Sequence, residues 1–469
     1  MSFIDNLINN LPEVKRPSQK RLPFKEKLKW TIVTLVLFYV LGLIPLFGLG
    51  QNSLQQFEFL SIILGASFGS IISLGIGPLV TGSIVLQLLA GTGILKLDLT
   101  NTEDRRRFQG MQKIFGIGFI ILESFIYVFM SGLAPPQLGE AWNGITVTSG
   151  LFFQLELMLI FQLILGGLLI MFMDEVVSKW GFGSGISLFI VAGVAQQIFV
   201  RAFNFLPSPT NPDVAAGAIP SLFQFLSTGD VTNAGLQVAA LISTIIVFLI
   251  CVYGQAMKVE IPLSFGKVRG YGMRWPLNFF YTSNIPVILV GALMANIQLF
   301  ASLLERWGRP ILGTFSGSSP ISGLVYWLTP PNIPQSIITG SFQVSQLLQA
   351  LFYVVVFMIG AVIFSVFWVQ TANMDAASQA KQIMASGLQI PGFRRDERVL
   401  EAVLKRYIWP LTIVGGASIG LLAAVADLTG ALSNGTSILL SVMIVYKMYE
   451  EIAKQHMMDM HPALRKVME

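Results

Sequence analysis

Leu74-Gly75-Ile76-Gly77-Pro78-Leu79-Val80-Thr81-Gly82-Ser83-Ile84-Val85-Leu86-Gln87-Leu88-Leu89 is apolar enough to lie in lipid, yet two glycines and a proline interrupt its start. Gly and Pro weaken or kink a helix. Irregular backbone at membrane depth survives only where protein or a water-filled cavity satisfies its polar groups. The preceding residues, 51–69, are too apolar for a solvated loop and carry a helical-looking stripe at Phe59, Ile62 and Ile63. They are expected to fold back into the protein as a re-entrant segment or half-helix; the alternative is an ordinary loop followed by a kinked helix.

Composition generalises this reading. Of 469 residues, 54% are hydrophobic and 12% charged, against about 25% charged in soluble domains. Mean hydropathy is +0.69. A soluble enzyme, a disordered chain and a disulfide-stapled secreted domain are thereby excluded, and Cys251, the single cysteine, allows no intrachain disulfide. With about 20 apolar residues needed per crossing, ten spans are predicted: 30–49, 70–91, 113–133, 149–173, 184–200, 236–257, 279–301, 346–370, 409–426 and 434–449. An even number places both termini on one side, and 27 of the 30 Lys and Arg fall on that side. Lys/Arg excess marks cytoplasmic loops, so both tails are expected in the cytosol. Residues 1–11 lack the basic start and apolar core of a signal peptide. Phe3, Ile4, Leu7, Ile8 and Leu11 share one helical face, which suggests an interfacial amphipathic helix; simple tail disorder is the alternative.

Other spans are also punctuated: Gly181-Phe182-Gly183-Ser184-Gly185 opens the fifth, Ser283-Asn284-Ile285-Pro286 lies in the seventh, and Ser433-Asn434-Gly435 opens the tenth. The recurrence suggests helices around an interior rather than a solid bundle. Glu123, central in the third span, must face protein or water; a hydrogen-bonded tie between helices fits better than a proton relay, because no intramembrane His, Lys or Arg continues one. Glu156 lies in the outer third of the fourth span. No nucleotide-binding loop, metal-ligand spacing or catalytic histidine set occurs, and no enzyme activity, metal or cofactor is expected. Two positive loops stand out, one with Lys258, Lys267, Arg269 and Arg274, the other with Arg394, Arg395, Arg398, Lys405 and Arg406. Topology alone predicts positive loops here, but such patches also suit an acidic partner or nucleic-acid phosphates.

The 74–89 motif, Asp174-Glu-Val-Val-Ser-Lys-Trp-Gly-Phe-Gly-Ser-Gly-Ile-Ser-Leu-Phe-Ile190, Ser283-Asn-Ile-Pro-Val-Ile288, Gly392-Phe-Arg-Arg395 and Tyr446-Lys-Met-Tyr449 resemble the SecY family, archaeal type, along essentially the whole chain. The resemblance implies an all-α polytopic fold: ten transmembrane helices in two pseudo-symmetric five-helix halves around a pore, with a re-entrant plug helix. It divides the chain into a cytosolic tail 1–29, an N-terminal half 30–202 with the plug at about 52–68, and an external hinge 203–235. A C-terminal half 236–452 with cytosolic loops 258–278 and 371–408, and a cytosolic tail 453–469, complete it.

By motif position, Ile76, Val80, Ile186, Ile190, Ile288 and Leu440 would form a pore ring. Phe57, Glu58, Phe59, Ile62 and Ile63 would belong to the plug, and Thr81, Glu123 and Asn296 to a polar cluster across a lateral gate to lipid. Lys267, Arg269, Arg394 and Arg395 would dock the ribosome. The basic residues in the first loop stand in altered order, which leaves open which of them is critical. The resemblance further implies small SecE-type and SecG/Sec-beta-type subunits, signal sequences and nascent chains as partners, contact with membrane lipid, and a multi-pass place in the cell membrane. An apolar ring dewets and blocks ions while offering no fixed hydrogen-bonding groups to arrest a moving chain. A secondary transporter is the competing reading, but it needs coupling groups at the midplane, where this chain has one central carboxylate. A scaffold for other membrane proteins is a third reading, and it predicts no ion leak under any mutation.

Overall fold

Two prolines set the first long helix. Helix α1 (Phe24–Leu43) follows Pro23, an extended N-cap at φ −63° and ψ 152°, and ends where Ile44 takes φ −85° and ψ 107°. Pro45 forces that exit, because its ring disfavours helical geometry in the residue before it. In the computed structural model, residues 10–19, 22–52, 67–91, 94–95, 102–142, 144–208, 213–265, 272–282, 285–316, 319–385, 388–389 and 396–460 are described. Among them nine more long helices follow: α2 (Gly77–Gly91), α3 (Thr102–Phe129), α4 (Ser149–Trp180), α5 (Gly185–Phe203), α6 (Val231–Ala256), α7 (Ile285–Arg306), α8 (Val344–Thr371), α9 (Glu397–Asp427) and α10 (Gly435–Met460).

Each predicted span holds one of these helices, with shifted ends. Seven, α3 to α9, are long and apolar enough to cross a membrane. The other three fall short because α2 has only 15 residues and charged stretches begin α1 and end α10. Asp230 caps α6 by accepting from the Asn233 amide at 3.2 Å, which starts it earlier than predicted. Asp396 likewise accepts from the Arg398 amide at 2.9 Å, so α9 begins inside the segment 371–408 expected as a loop. That segment also contains a helix at Ala376–Ala385, and the hinge region 203–235 contains one at Ala218–Thr228.

The two five-helix halves, α1–α5 and α6–α10, share particular close contacts, although no repeat is visible in the sequence. Gly166-Gly167 in α4 and Gly415-Gly416 in α9 do the same work. A Cβ on Gly166 would lie 1.8 Å from the Ile71 carbonyl oxygen, and one on Gly415 2.6 Å from that of Phe279. Ile71 and Phe279 each stand seven residues before a helix-opening proline, Pro78 of α2 and Pro286 of α7. The next glycine of each pair presses on the neighbouring helix: Gly167 on Ile120 of α3, Gly416 on Ser365 of α8. The halves meet along two seams. At one, α2 packs on α7 and α8; at the other, α1 and α5 pack on α10. The main apolar core lies between them.

On the face where basic residues concentrate, the two positive loops join. Strand Lys258–Phe265 pairs antiparallel with Gly272–Asn278 and, through Ser264 and Phe265, with Gln389 and Leu388. The helix Ala376–Ala385 packs on α9 below this sheet, burying Ile383 with Leu277, Leu400 and Leu404. Nearby, residues 12–15 cross the ends of α3 and α4. The Val14 amide donates to Glu175 Oε2 at 2.9 Å, Lys179 Nζ meets Glu13 Oε1 at 2.6 Å, and Trp180 Nε1 donates to the Lys15 carbonyl at 2.9 Å. The Lys179 hydrogen bond holds the Glu13 carboxyl below its usual range.

Candidate functional site

The six aliphatic residues assigned to a ring share one apolar core cluster. Ile76, Val80, Ile190, Ile288 and Leu440 are buried within it, and half-buried Ile186 packs against it. Each sits just before or within the first two turns of its helix. Four helix starts, two from each half, therefore contribute to one extended apolar core.

Helix starts carry backbone N–H groups without intrahelical partners, which is costly away from water. The chain solves this in two ways. In α2 and α7 the second residue is proline, Pro78 and Pro286, which has no N–H to satisfy. In α5 and α10 a carboxylate in the last two turns of the preceding long helix supplies the acceptor. Asp174 Oδ1 accepts from the Ile186 amide at 3.0 Å and from Ser184 Oγ at 3.4 Å. Asp427 Oδ1 accepts from the Thr436 amide at 2.7 Å, while Oδ2 accepts from Tyr353 Oη at 2.7 Å and from the Thr436 hydroxyl. Both helices open on a glycine pressed against that preceding helix: a Cβ would lie 2.6 Å from Asp174 Cα at Gly185 and 2.0 Å from the Ala426 carbonyl carbon at Gly435. The sequence reading missed both aspartates. The available signal was an Asp followed, after a Gly-containing break, by an apolar helix.

The polar trio also comes together. Asn296 Nδ2 in α7 donates to Thr81 Oγ1 in α2 at 2.7 Å, and Thr81 Oγ1 lies 3.3 Å from Glu123 Oε1 in α3 and 2.9 Å from the Gly77 carbonyl. The one hydroxyl proton is thus shared between two acceptors. Glu123 is 1% exposed, and its Oε2 has no hydrogen-bond partner among the described residues. This chain of bonds crosses the α2–α7 seam. At the opposite seam, Ser433 Oγ donates to Gln197 Oε1 of α5 at 2.6 Å, another buried link the sequence reading did not find.

The expected plug residues Phe57, Glu58, Phe59, Ile62 and Ile63 lie outside the described residues, as do Lys267, Arg269, Arg394 and Arg395. Their flanks are described. Gln51 and Asn52 pair with Ala134 and Leu133, and Asn52 Nδ2 donates to the Phe68 carbonyl at 3.0 Å, so residues 52 and 68 lie together. The amphipathic reading of residues 3–11 falls largely outside the described residues too.

Comparison with known proteins agrees with this architecture. The SecY family profile matches residues 70–449, and a profile described as the plug domain of Sec61p matches residues 36–69. Protein translocase subunit SecY of Methanothermobacter thermautotrophicus is 48% identical over 463 residues, covering 98% of this chain and 97% of that protein. The Pyrococcus furiosus subunit of the same name is 43% identical over 472 residues, covering 97% and 96%. A solved structure of a protein conducting channel superposes with a TM-score of 0.82 at 38% identity, covering 99% of each chain. Sec61 in the canine ribosome-channel complex from the endoplasmic reticulum does so at 0.79 and 38%, again with 99% of each chain covered. Matched along nearly its whole length in sequence and in fold, this chain belongs to the SecY family.

Proposed function

We propose that this chain is the channel subunit of a protein translocon: it passes unfolded polypeptides across the cell membrane and releases hydrophobic segments sideways into lipid. The observation that supports this reading is that six aliphatic side chains from four helix starts, two in each half, belong to one apolar core. Such a constriction excludes water and ions at rest and widens if the halves part, because no covalent or ionic link among its members resists. Aliphatic walls also accept side chains of differing shape without binding any one of them.

The lateral exit follows from the α2–α7 seam. Its described polar closure is the Asn296–Thr81–Glu123 chain, and hydrogen bonds between membrane helices average only about 0.6 kcal/mol. A hydrophobic segment partitioning into the seam competes with bonds of that size. Phe57, Glu58, Phe59, Ile62 and Ile63 serve as a plug on the side opposite the basic face. Lys267, Arg269, Arg394 and Arg395 offer positive charge to ribosomal RNA phosphates, which fits relatives that include Sec61 in a ribosome-channel complex. Both termini face the cytosol, SecE-type and SecG/Sec-beta-type subunits complete the complex, and no nucleotide is hydrolysed by this chain, so the driving force comes from translation or a separate motor.

The deciding experiment is conductance of the reconstituted complex with residues 55–65 deleted. A plugged channel leaks or flickers after the deletion while the intact chain stays silent. A transporter or scaffold shows no ion current in either form, and that result overturns the reading.

A further inference from the structure

Asp174 and Asp427 are the acidic side chains that bond the start of a ring-bearing helix. They occupy matching places in the two halves. Each lies near the end of a long helix, α4 or α9, and each reaches across a glycine-marked break to the second residue of the next helix, Ile186 or Thr436. In both cases the ring residue stands four positions further on, one helical turn inside: Ile190 after Ile186, Leu440 after Thr436. A bond at the second residue therefore sets both the depth and the rotation at which the ring side chain is presented. Nothing else described replaces it. Gly185 and Gly435 have no side chain, the Ser184 side chain caps no first-turn amide, and the Ser184 and Asn434 carbonyls accept from Leu188 and Ile438, not from the amide of the second residue. A cavity of about 180 Å³ borders Asp427 and Thr436, leaving room for the start of α10 to shift once the carboxylate lets go.

We propose that Asp174 and Asp427 are positioning residues of the pore: two equivalent carboxylate clamps, one per half, that hold Ile190 and Leu440 in the constriction. The proposal rests on the ring reading above. It adds that the seal depends on polar contacts one turn away from the apolar side chains that make it, and that the two halves present their ring residues by the same device. Asp427 carries a third bond, from Tyr353 of α8, so movement of α8 is transmitted to Leu440 through the clamp. Asp174 has no such tie to a third helix among its described bonds.

The test uses the complete heterotrimeric complex in potassium chloride-loaded phosphatidylethanolamine/phosphatidylglycerol vesicles, with resting ion efflux as the readout. Asp174→Ala and Asp427→Ala are each expected to raise efflux about fivefold, the size of losing one helix cap. Asp174→Asn and Asp427→Asn keep an acceptor oxygen for the same amide and are expected to restore efflux to near the parent value. A residue that merely stabilises the fold would lower complex yield and leave the efflux per assembled complex unchanged. Ile190→Gly and Leu440→Gly run in parallel. Efflux from these glycine variants with none from the alanine variants overturns the clamp and leaves the ring intact, whereas silence of the glycine variants overturns the ring itself. If an alanine variant fails to assemble, Thr436→Val removes the hydroxyl bond and keeps the amide bond. A rise smaller than fivefold supports the clamp, and unchanged efflux overturns it.

Discussion

Glu123 was readable in the sequence as a carboxylate needing a partner, and motif position pointed to Thr81 and Asn296. The structure supplies the order of the bonds. Asn296 donates to Thr81, and Thr81 divides its single proton between Glu123 and its own helix. Asn296→Ala removes the one bond of this set that crosses from α7 to α2 and leaves Thr81 bonded to Glu123. Loss of about 0.6 kcal/mol should raise membrane insertion of a marginally hydrophobic segment roughly threefold, measured across a graded series of test segments. An unchanged insertion threshold would remove the seam bond from any gating role. Asp174 and Asp427 show the complementary case. Their sequence signal, an Asp before a Gly-containing break, does not name the partner, because what they bond is set by a chain reversal between two helices.

At the level of elements, the glycine pairs decide how closely the long helices sit. A Cβ on Gly166 would overlap the Ile71 carbonyl oxygen, whereas one on Gly118 of α3 would meet nothing within 4 Å. Gly166→Ala should therefore cost about 1–3 kcal/mol by overpacking, seen as a lower midpoint in thermal unfolding of the purified complex. Gly118→Ala should leave the midpoint unchanged or raise it slightly, since alanine favours helix. Equal behaviour of the two variants would show that the close approach of α4 to the segment before α2 carries no stability. In the sequence both glycines simply lie within apolar helical runs. Only their neighbours distinguish the crowded position from the open one.

Across the whole molecule, one sheet holds described parts of the two basic loops together. Sequence separated them by more than a hundred residues, and the sheet joins them at Ser264–Gln389. Ser264 sits in the middle strand, where proline cannot donate to a ladder. Ser264→Pro should detach Leu388–Gln389 and weaken ribosome binding several-fold while every basic residue remains, with binding in both forms falling as salt rises. Co-sedimentation across a salt series measures this, and equal affinity would mean that the loops dock independently.

Ten helices, their order along the chain and the apolar character of the residues at four helix starts were legible because each is a property of local composition: a run of apolar residues, or a residue type at a motif position. The repeat between the halves, the aspartate caps, the Gln197–Ser433 link and the joined loops were not. Each depends on which backbone atoms come within bonding or contact distance after helices far apart in the chain have packed. Hydrophobicity is carried by residues one at a time and survives in the sequence as a pattern. A hydrogen bond or a close approach is a relation between two places, and packing alone brings them together.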